Sequence, residues 1–320
     1  MYENLFLPQE TSLVTLRGIK RISEMNSKDI IIAIDRFGLI SFVNPIIEKP
    51  ESFGILCNFK TSYFDFSVGL DKKIFVNNDF DMTLSTGDIC DTLTGYNISM
   101  TSGCCYSDSN NLRYADWAIV LYALAMLKRT KYVDDDIRII SRGGSKSSFI
   151  ESYLSRSGVK FRKEPFGKRN RVAFYIGYKG KIKRRISKDF VMMCNSRQAK
   201  LFVETCMLFD SVPNRDRCER GHIFLCQPQN ISLMIALCMK AGYRVHAGNV
   251  YGISQYKYDS IIVSNHSGWD TNIISHTISQ NTSNDVHVII SDEYVGFLAV
   301  YDSCIVVLPN DMYLNKFKAV

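Results

Sequence analysis

The sequence predicts an α+β protein: a β domain split in two by a helical insert. Three observations carry this. Residues 11–76 alternate and turn like short antiparallel strands. Residues 114–263 switch to helical periods twice, in the same order. Val286–Val307 then returns to β-type alternation. With 320 residues the chain is long enough for two domains and a sizeable core. The expected division is 1–106 for the first β part, 107–280 for the insert and 281–320 for the second β part.

Taken in order, Thr11–Leu16 reads as a strand that turns at Arg17-Gly18. Asp29–Asp35 (DIIIAID) is a second strand, and Phe37-Gly38 turns into Leu39–Val43. Phe53–Lys60, Tyr63–Val68 and Lys73–Val76 continue the pattern, rich in β-branched and aromatic residues. Residues 97–112 are polar and turn-rich and read as a linker. Tyr114–Lys128 is apolar nearly all round, which predicts a buried helix. Ile137–Ser141 is a short strand. Lys146–Ser157 is an amphipathic helix stopped by Gly158. Val159–Arg162 and Arg171–Tyr178 are strands around a basic loop, Lys163–Asn170.

The same order then recurs. Arg197–Phe209 is a second apolar helix, His222–Cys226 a strand, and Gln229–Lys240 an amphipathic helix stopped by Gly242. Arg244–Ala247 and Lys257–Val263 are strands. Residues of about 114–180 and 197–263 therefore form an internal repeat. Turn signals at Asp302-Ser303 and Pro309-Asn310-Asp311 punctuate the tail.

Composition narrows the class. Hydrophobic content of 46% and charged content of 22% fit a globular protein. No apolar run is long enough to cross a bilayer, and the N-terminus lacks a signal peptide's basic start and apolar core. The expectation is a cytosolic protein with no membrane partner. Ten cysteines at irregular spacing, with no C-x-x-C pair, predict buried reduced thiols rather than a zinc site or a disulfide framework. All five histidines fall between His222 and His287, which excludes a histidine-based site in the first two thirds. The net charge of +7 points toward a polyanion. Thirteen Lys/Arg residues and one acid, Glu164, lie between Arg156 and Lys188, with Phe161, Phe166, Phe174, Tyr175 and Tyr178 interleaved.

The plan resembles an intein-like (Hint) β domain carrying a LAGLIDADG-type homing endonuclease. TSLVTLRGIKRISEM (Thr11–Met25) looks like the first splicing block, and DIIIAIDRFG (Asp29–Gly38) like the hairpin after it. DFSVGLDKKIFV (Asp65–Val76) looks like the second block, with Gly69 and Lys72 where that family has Thr and His. DEYVGFLAVYDSCIVVLPND (Asp292–Asp311) resembles the C-terminal strands. Splicing needs a Cys or Ser nucleophile, a histidine and a terminal Asn that cyclises. The nucleophile position falls near Leu5–Phe6, Lys72 replaces the histidine, and Asn310 and Asn315 follow no histidine. The resemblance thus implies a Hint-like scaffold with splicing lost.

For the insert, the resemblance implies a two-repeat αββαββ saddle, a monomer with an internal pseudo-two-fold axis. Each repeat's first helix would deliver one carboxylate to Mg²⁺ at the scissile phosphates of double-stranded DNA. Asp210 falls on the second acidic position, as the candidate catalytic residue and metal ligand. Leu127 and Lys128 occupy the equivalent positions in the first repeat, and Asp134, Asp135 and Asp136 lie past that helix. A saddle needs basic side chains for phosphates. Arg162, Lys163, Lys168, Arg169 and Arg171 are the first choices, followed by Lys183, Arg184 and Arg185. The leading expectation is a DNA-binding protein whose cleavage is weak or lost, with Mg²⁺ needed only if it cuts. Two alternatives stand beside it: an active metal-dependent endonuclease using Asp210, and a phage structural or assembly protein reusing the scaffold.

Overall fold

The computed structural model describes residues 6–48, 55–61, 65–69, 73–76, 79–85, 114–127, 130–133, 136–167, 170–177, 185–210, 212–214, 221–226, 228–248, 259–264, 273–280, 285–301 and 304–310. Ten strands come first: β1 (Phe6–Pro8), β2 (Ser12–Thr15), β3 (Gly18–Arg21), β4 (Ile31–Asp35), β5 (Ile40–Val43), β6 (Ile46–Glu48), β7 (Ile55–Thr61), β8 (Asp65–Gly69), β9 (Lys73–Val76) and β10 (Asp79–Ser85). Then come α1 (Asp116–Met126), β11 (Lys131–Val133), β12 (Asp136–Arg142), α2 (Ser145–Ser157), β13 (Phe161–Pro165) and β14 (Arg171–Gly177). After a short helix, α3 (Lys188–Met193), the order returns: α4 (Ser196–Asp210), β15 (Val212–Asn214), β16 (Gly221–Cys226), α5 (Ile231–Lys240), β17 (Arg244–Gly248) and β18 (Asp259–Ser264). The last strands are β19 (Ile273–Gln280), β20 (Asp285–Ile289), β21 (Tyr294–Tyr301) and β22 (Cys304–Pro309).

The two αββαββ stretches have the same wiring. The first forms an antiparallel sheet in the order β11-β12-β14-β13, and the second runs β15-β16-β18-β17. In each, the amphipathic or apolar second helix ends before a glycine with positive φ, Gly158 at 67° and Gly242 at 82°, where a side chain would strain the backbone. The sheets differ at one edge. Among the described residues β13 pairs only with β14, whereas β17 also meets β22 through His246 opposite Cys304. The second sheet therefore runs on into β22, β21, β2, β4 and β5. There β21 pairs with β22, β2 and β4, and these cross-pairings curl the N- and C-terminal strands into an antiparallel half-barrel. β19 pairs with β7, and β20 lies between β1 and β6.

β4 shows why the half-barrel strands read as continuous apolar runs. Ile31 and Ala33 point into a core with Leu7, Leu13, Phe59 and Phe297. Ile32 and Ile34 point the other way, into the core that holds the helices. β22 divides in the same way: Cys304, Val306 and Leu308 lie on one side and Ile305 and Val307 on the other. A strand covered on both faces needs apolar residues at both parities. Asp29, just before β4, is buried, and the Lys20 ammonium meets it at 2.7 Å. Burial opposes its ionisation, but the Lys20 contact and the Asn26 N–H outweigh that and hold the carboxyl below its ordinary range.

Candidate nucleic-acid interface

The helical layer sets the geometry. α1 and α4 pack along their lengths, with Ile119, Val120, Ala123 and Leu124 against a layer that includes Ala199, Phe202, Val203 and Cys206. Their first turns are tied together. Arg197 makes a two-pronged contact with Asp116, at 3.0 and 2.7 Å, and Gln198 Nε2 donates to the Tyr114 carbonyl at 2.7 Å. Two helices joined at their N-terminal ends and packed along their lengths end on the same side, which brings Leu127 and Asp210 to one end of the seam. Alanines supply the close approach on α1, and burial keeps the Cys206 thiol protonated, with the Asp210 charge adding to the effect.

At that end of the seam the first repeat places no carboxylate opposite Asp210 at the matching helix position, Leu127. Leu127 is buried and apolar. On the other side the Lys146 ammonium, from the start of α2, donates to the Leu208 carbonyl and lies 5.7 Å from the Phe209 ring centre. A cation thus already serves the free carbonyls and negative end of α4 beside Asp210. Asp136 sits at the hairpin end of β12, opposite Val133 and Gly177. Thr130, which abuts the end of α1, leads into β11 at the other end of that hairpin. Among the described residues no group of three or more His, Cys, Asp or Glu side chains comes together.

The sheet of the first repeat has two unlike faces. On β12, Ile137, Ile139 and Ser141 are buried toward the helices, and Asp136, Arg138, Ile140 and Arg142 point the other way. On β14, Phe174 and Ile176 face the helices. Register then fixes the outer face. Lys131 is opposite Arg138, Arg138 opposite Tyr175, and Tyr175 opposite Arg162. Arg142 is directly opposite Arg171. Five cations share that face with the acids Asp136 and Glu164. Arg162 lies 4.3 Å over the Tyr175 ring and 3.4 Å from Glu164. Arg138 lies 5.5 Å from the Phe166 ring centre.

Of the residues singled out from sequence, Arg162 and Arg171 lie on this face. Lys163 has the opposite parity and meets Glu151 of α2 at 2.7 Å, on the helix side. Arg185 lies beside the helices, its carbonyl accepting from the Tyr122 hydroxyl at 2.7 Å. Burial pushes the Tyr122 phenol up to about 12. Lys168, Arg169, Lys183 and Arg184 lie outside the described residues, as do Lys72, Lys128, Asp134, Asp135 and Asn315. Asn310 is buried, and its amide donates at 2.8 Å to both Ser291 and Tyr294 carbonyls, holding that turn closed. Lys131, Arg138 and Arg142 lie outside the basic stretch Arg156–Lys188, and the alternation in DIRIISR is the sequence signal for two of them.

No known family profile matches the chain, and no curated protein matches it. Among solved structures, part of the chain is similar to the LAGLIDADG homing endonuclease I-DmoI. Its complex with DNA and Mn matches at 11% identity and a TM-score of 0.31, over 47% of this chain and 91% of that one. Variants of the homing endonuclease I-DmoI match at 12% identity and a TM-score of 0.31, over 47% of this chain and 89% of theirs. A further I-DmoI complex, with its target DNA in the presence of Mg, matches at 12% identity and a TM-score of 0.30, over 47% and 89%. Among the described residues no helix is long and apolar enough to cross a membrane.

Proposed function

We propose that this chain binds double-stranded DNA through the outer face of the β11–β14 sheet, on a LAGLIDADG-like frame with cleavage weak or lost. One observation carries the reading: two pairs of cations stand directly opposite each other across neighbouring strands, Lys131 with Arg138 and Arg142 with Arg171. Like charges in that arrangement destabilise a sheet. A polyanion lying on the face turns the repulsion into attraction, and duplex DNA has the charge density to do so. The weakness of cutting rests on Leu127 and Lys146 at the helix ends. The half-barrel is read as a Hint-like scaffold without splicing, since Asn310 serves as a turn clamp and Gly69 occupies the position of a catalytic threonine.

The test is a salt titration of binding to duplex DNA by fluorescence anisotropy. Binding whose log affinity falls linearly with log salt supports the reading. No binding at low salt would reject it in favour of the assembly-protein alternative. The position of Asp210 at the shared end of the α1–α4 seam keeps an active endonuclease in play. Plasmid nicking with Mg²⁺ or Mn²⁺ that is lost in Asp210→Asn would establish that second reading.

A further inference from the structure

We propose that the duplex is held one-sidedly, by the first repeat alone, with Arg138 reading a base edge and Lys131 and Arg162 holding the flanking phosphates. This rests on the DNA-binding reading above. Three observations support it. The strands of the first repeat's sheet carry six Lys/Arg residues, Lys131, Arg138, Arg142, Arg162, Lys163 and Arg171, whereas those of the second carry one, Arg244. The second sheet also continues through β17 into β22, while among the described residues β13 pairs only with β14.

The second observation is a transverse row, Lys131–Arg138–Tyr175–Arg162, crossing all four strands. Three strand spacings place its ends about 14 Å apart at the backbone. That is close to the width of a B-form major groove, about 12 Å. Cations at the two ends of such a row meet the phosphates that line the groove, and a residue on the central strand faces base edges. The third observation concerns that residue. The Nε of Arg138 is buried and makes no hydrogen bond to a described protein group, which leaves the ends of the guanidinium fork as the atoms that can face a base. The guanidinium is already positioned against Phe166, so little of its freedom remains to be lost on binding. An arginine fork pairs best with O6 and N7 of guanine, so the residue is assigned a guanine.

The experiment selects duplexes from a randomised pool with the full chain, then compares the selected duplex with a scrambled one across salt concentrations. Far-UV circular dichroism and thermal midpoints check that each variant folds. Lys131→Gln and Arg162→Gln are expected to weaken both duplexes alike and to lower the salt slope by about 1 each. Arg138→Lys keeps the charge and loses the fork. It is expected to cost about tenfold or more on the selected duplex, with one guanine position relaxed and the scrambled duplex bound as before. Arg244→Gln is expected to change neither. If Arg244→Gln costs as much as Lys131→Gln, the one-sided hold is overturned while DNA binding stands. An unchanged base preference in a folded Arg138→Lys variant overturns the base reading. A pool from which no duplex is retained at low salt overturns this inference together with the function it rests on.

Discussion

The two αββαββ repeats share strand order and helix placement, yet their second helices sit in different surroundings. α2 buries Ser147, Ile150 and Leu154 on one stripe, flanks them with half-buried Phe149 and Tyr153, and leaves its far side exposed. α5 is buried at all ten positions, Ser232 and Lys240 included. The cause is what each repeat lies against. α2 packs on its own sheet, on α1 and on the end of α4, while α5 is also covered by β3 of the half-barrel. Lys240 is tolerated because its ammonium donates to the carbonyls of Val191 and Met192, at 2.9 and 3.4 Å, closing the end of α3. One copy of the unit is joined to the half-barrel, and the other has, among the described residues, no strand beyond β13 and keeps a charged face. Duplication permits this, since the wiring asks only for an apolar layer under each sheet and leaves the outer face unspecified.

That contrast can be broken by experiment, and the largest expected effect is in the helices. Ala236→Lys in α5 places a charge where no position is exposed and is expected to cost about 4 kcal/mol or more by denaturant unfolding. Ser155→Lys, on the open side of α2, is expected to stay within about 0.5 kcal/mol. Equal losses would mean that α2 is as enclosed as α5. On the sheet, Arg142→Thr removes one of two opposed cations. It is expected to raise stability by about 0.2–1 kcal/mol while lowering the salt slope of DNA binding by about 1. Gains in both stability and affinity would separate this face from DNA.

A third probe concerns the docking side, where β3 meets α5. Asp29 is held below its ordinary pKa there through Lys20, so its contribution is complete above the unfolded value, about 3.9. It is lost as pH falls through the lower, folded value. Asp29→Asn is therefore expected to lower the thermal midpoint at neutral pH and to flatten its decline on acidification below about pH 4. The smallest effect is expected from Lys163→Gln. Its pair with Glu151 is exposed, so stability should change by less than about 1 kcal/mol, and the DNA salt slope should not move. A slope change equal to that of Arg162→Gln would place Lys163 on the binding face after all.

Much of this was legible in the chain, for identifiable reasons. The two-sided burial of β4 is written in IIIAI, and the stop of each second helix in Gly158 and Gly242. α1 reads as apolar nearly all round, and its central turns are buried. The full burial of α5 was not read, because its two polar residues, Ser232 and Lys240, give the helix an amphipathic look; only tertiary partners show that both are enclosed. α3 was missed because six residues carry too little periodicity, although Ser187, whose hydroxyl accepts from the Phe190 N–H at 3.1 Å, marks its start. The charged face was half legible. A run of basic residues identifies a stretch of chain, but facing is decided by parity and cross-strand register. That is why Arg162 and Lys163, neighbours in sequence, end on opposite sides of one sheet, and why Lys131 joins Arg138 from a separate strand.

The pairing of β2 with β21 sets a timetable. Ser12 lies beside Val300, so the first strands made must wait for nearly the whole chain before they can close their sheet. At a synthesis rate of about 5–20 residues per second that wait is on the order of tens of seconds. β2 and β4 can meanwhile pair with β3 and β5, but their apolar edges toward β21 stay uncovered. A first repeat that completes its own four-stranded sheet early would shorten the effective distance between the two halves. The chain's yield in a cell would then depend on how quickly the insert folds, as much as on the stability of the finished protein.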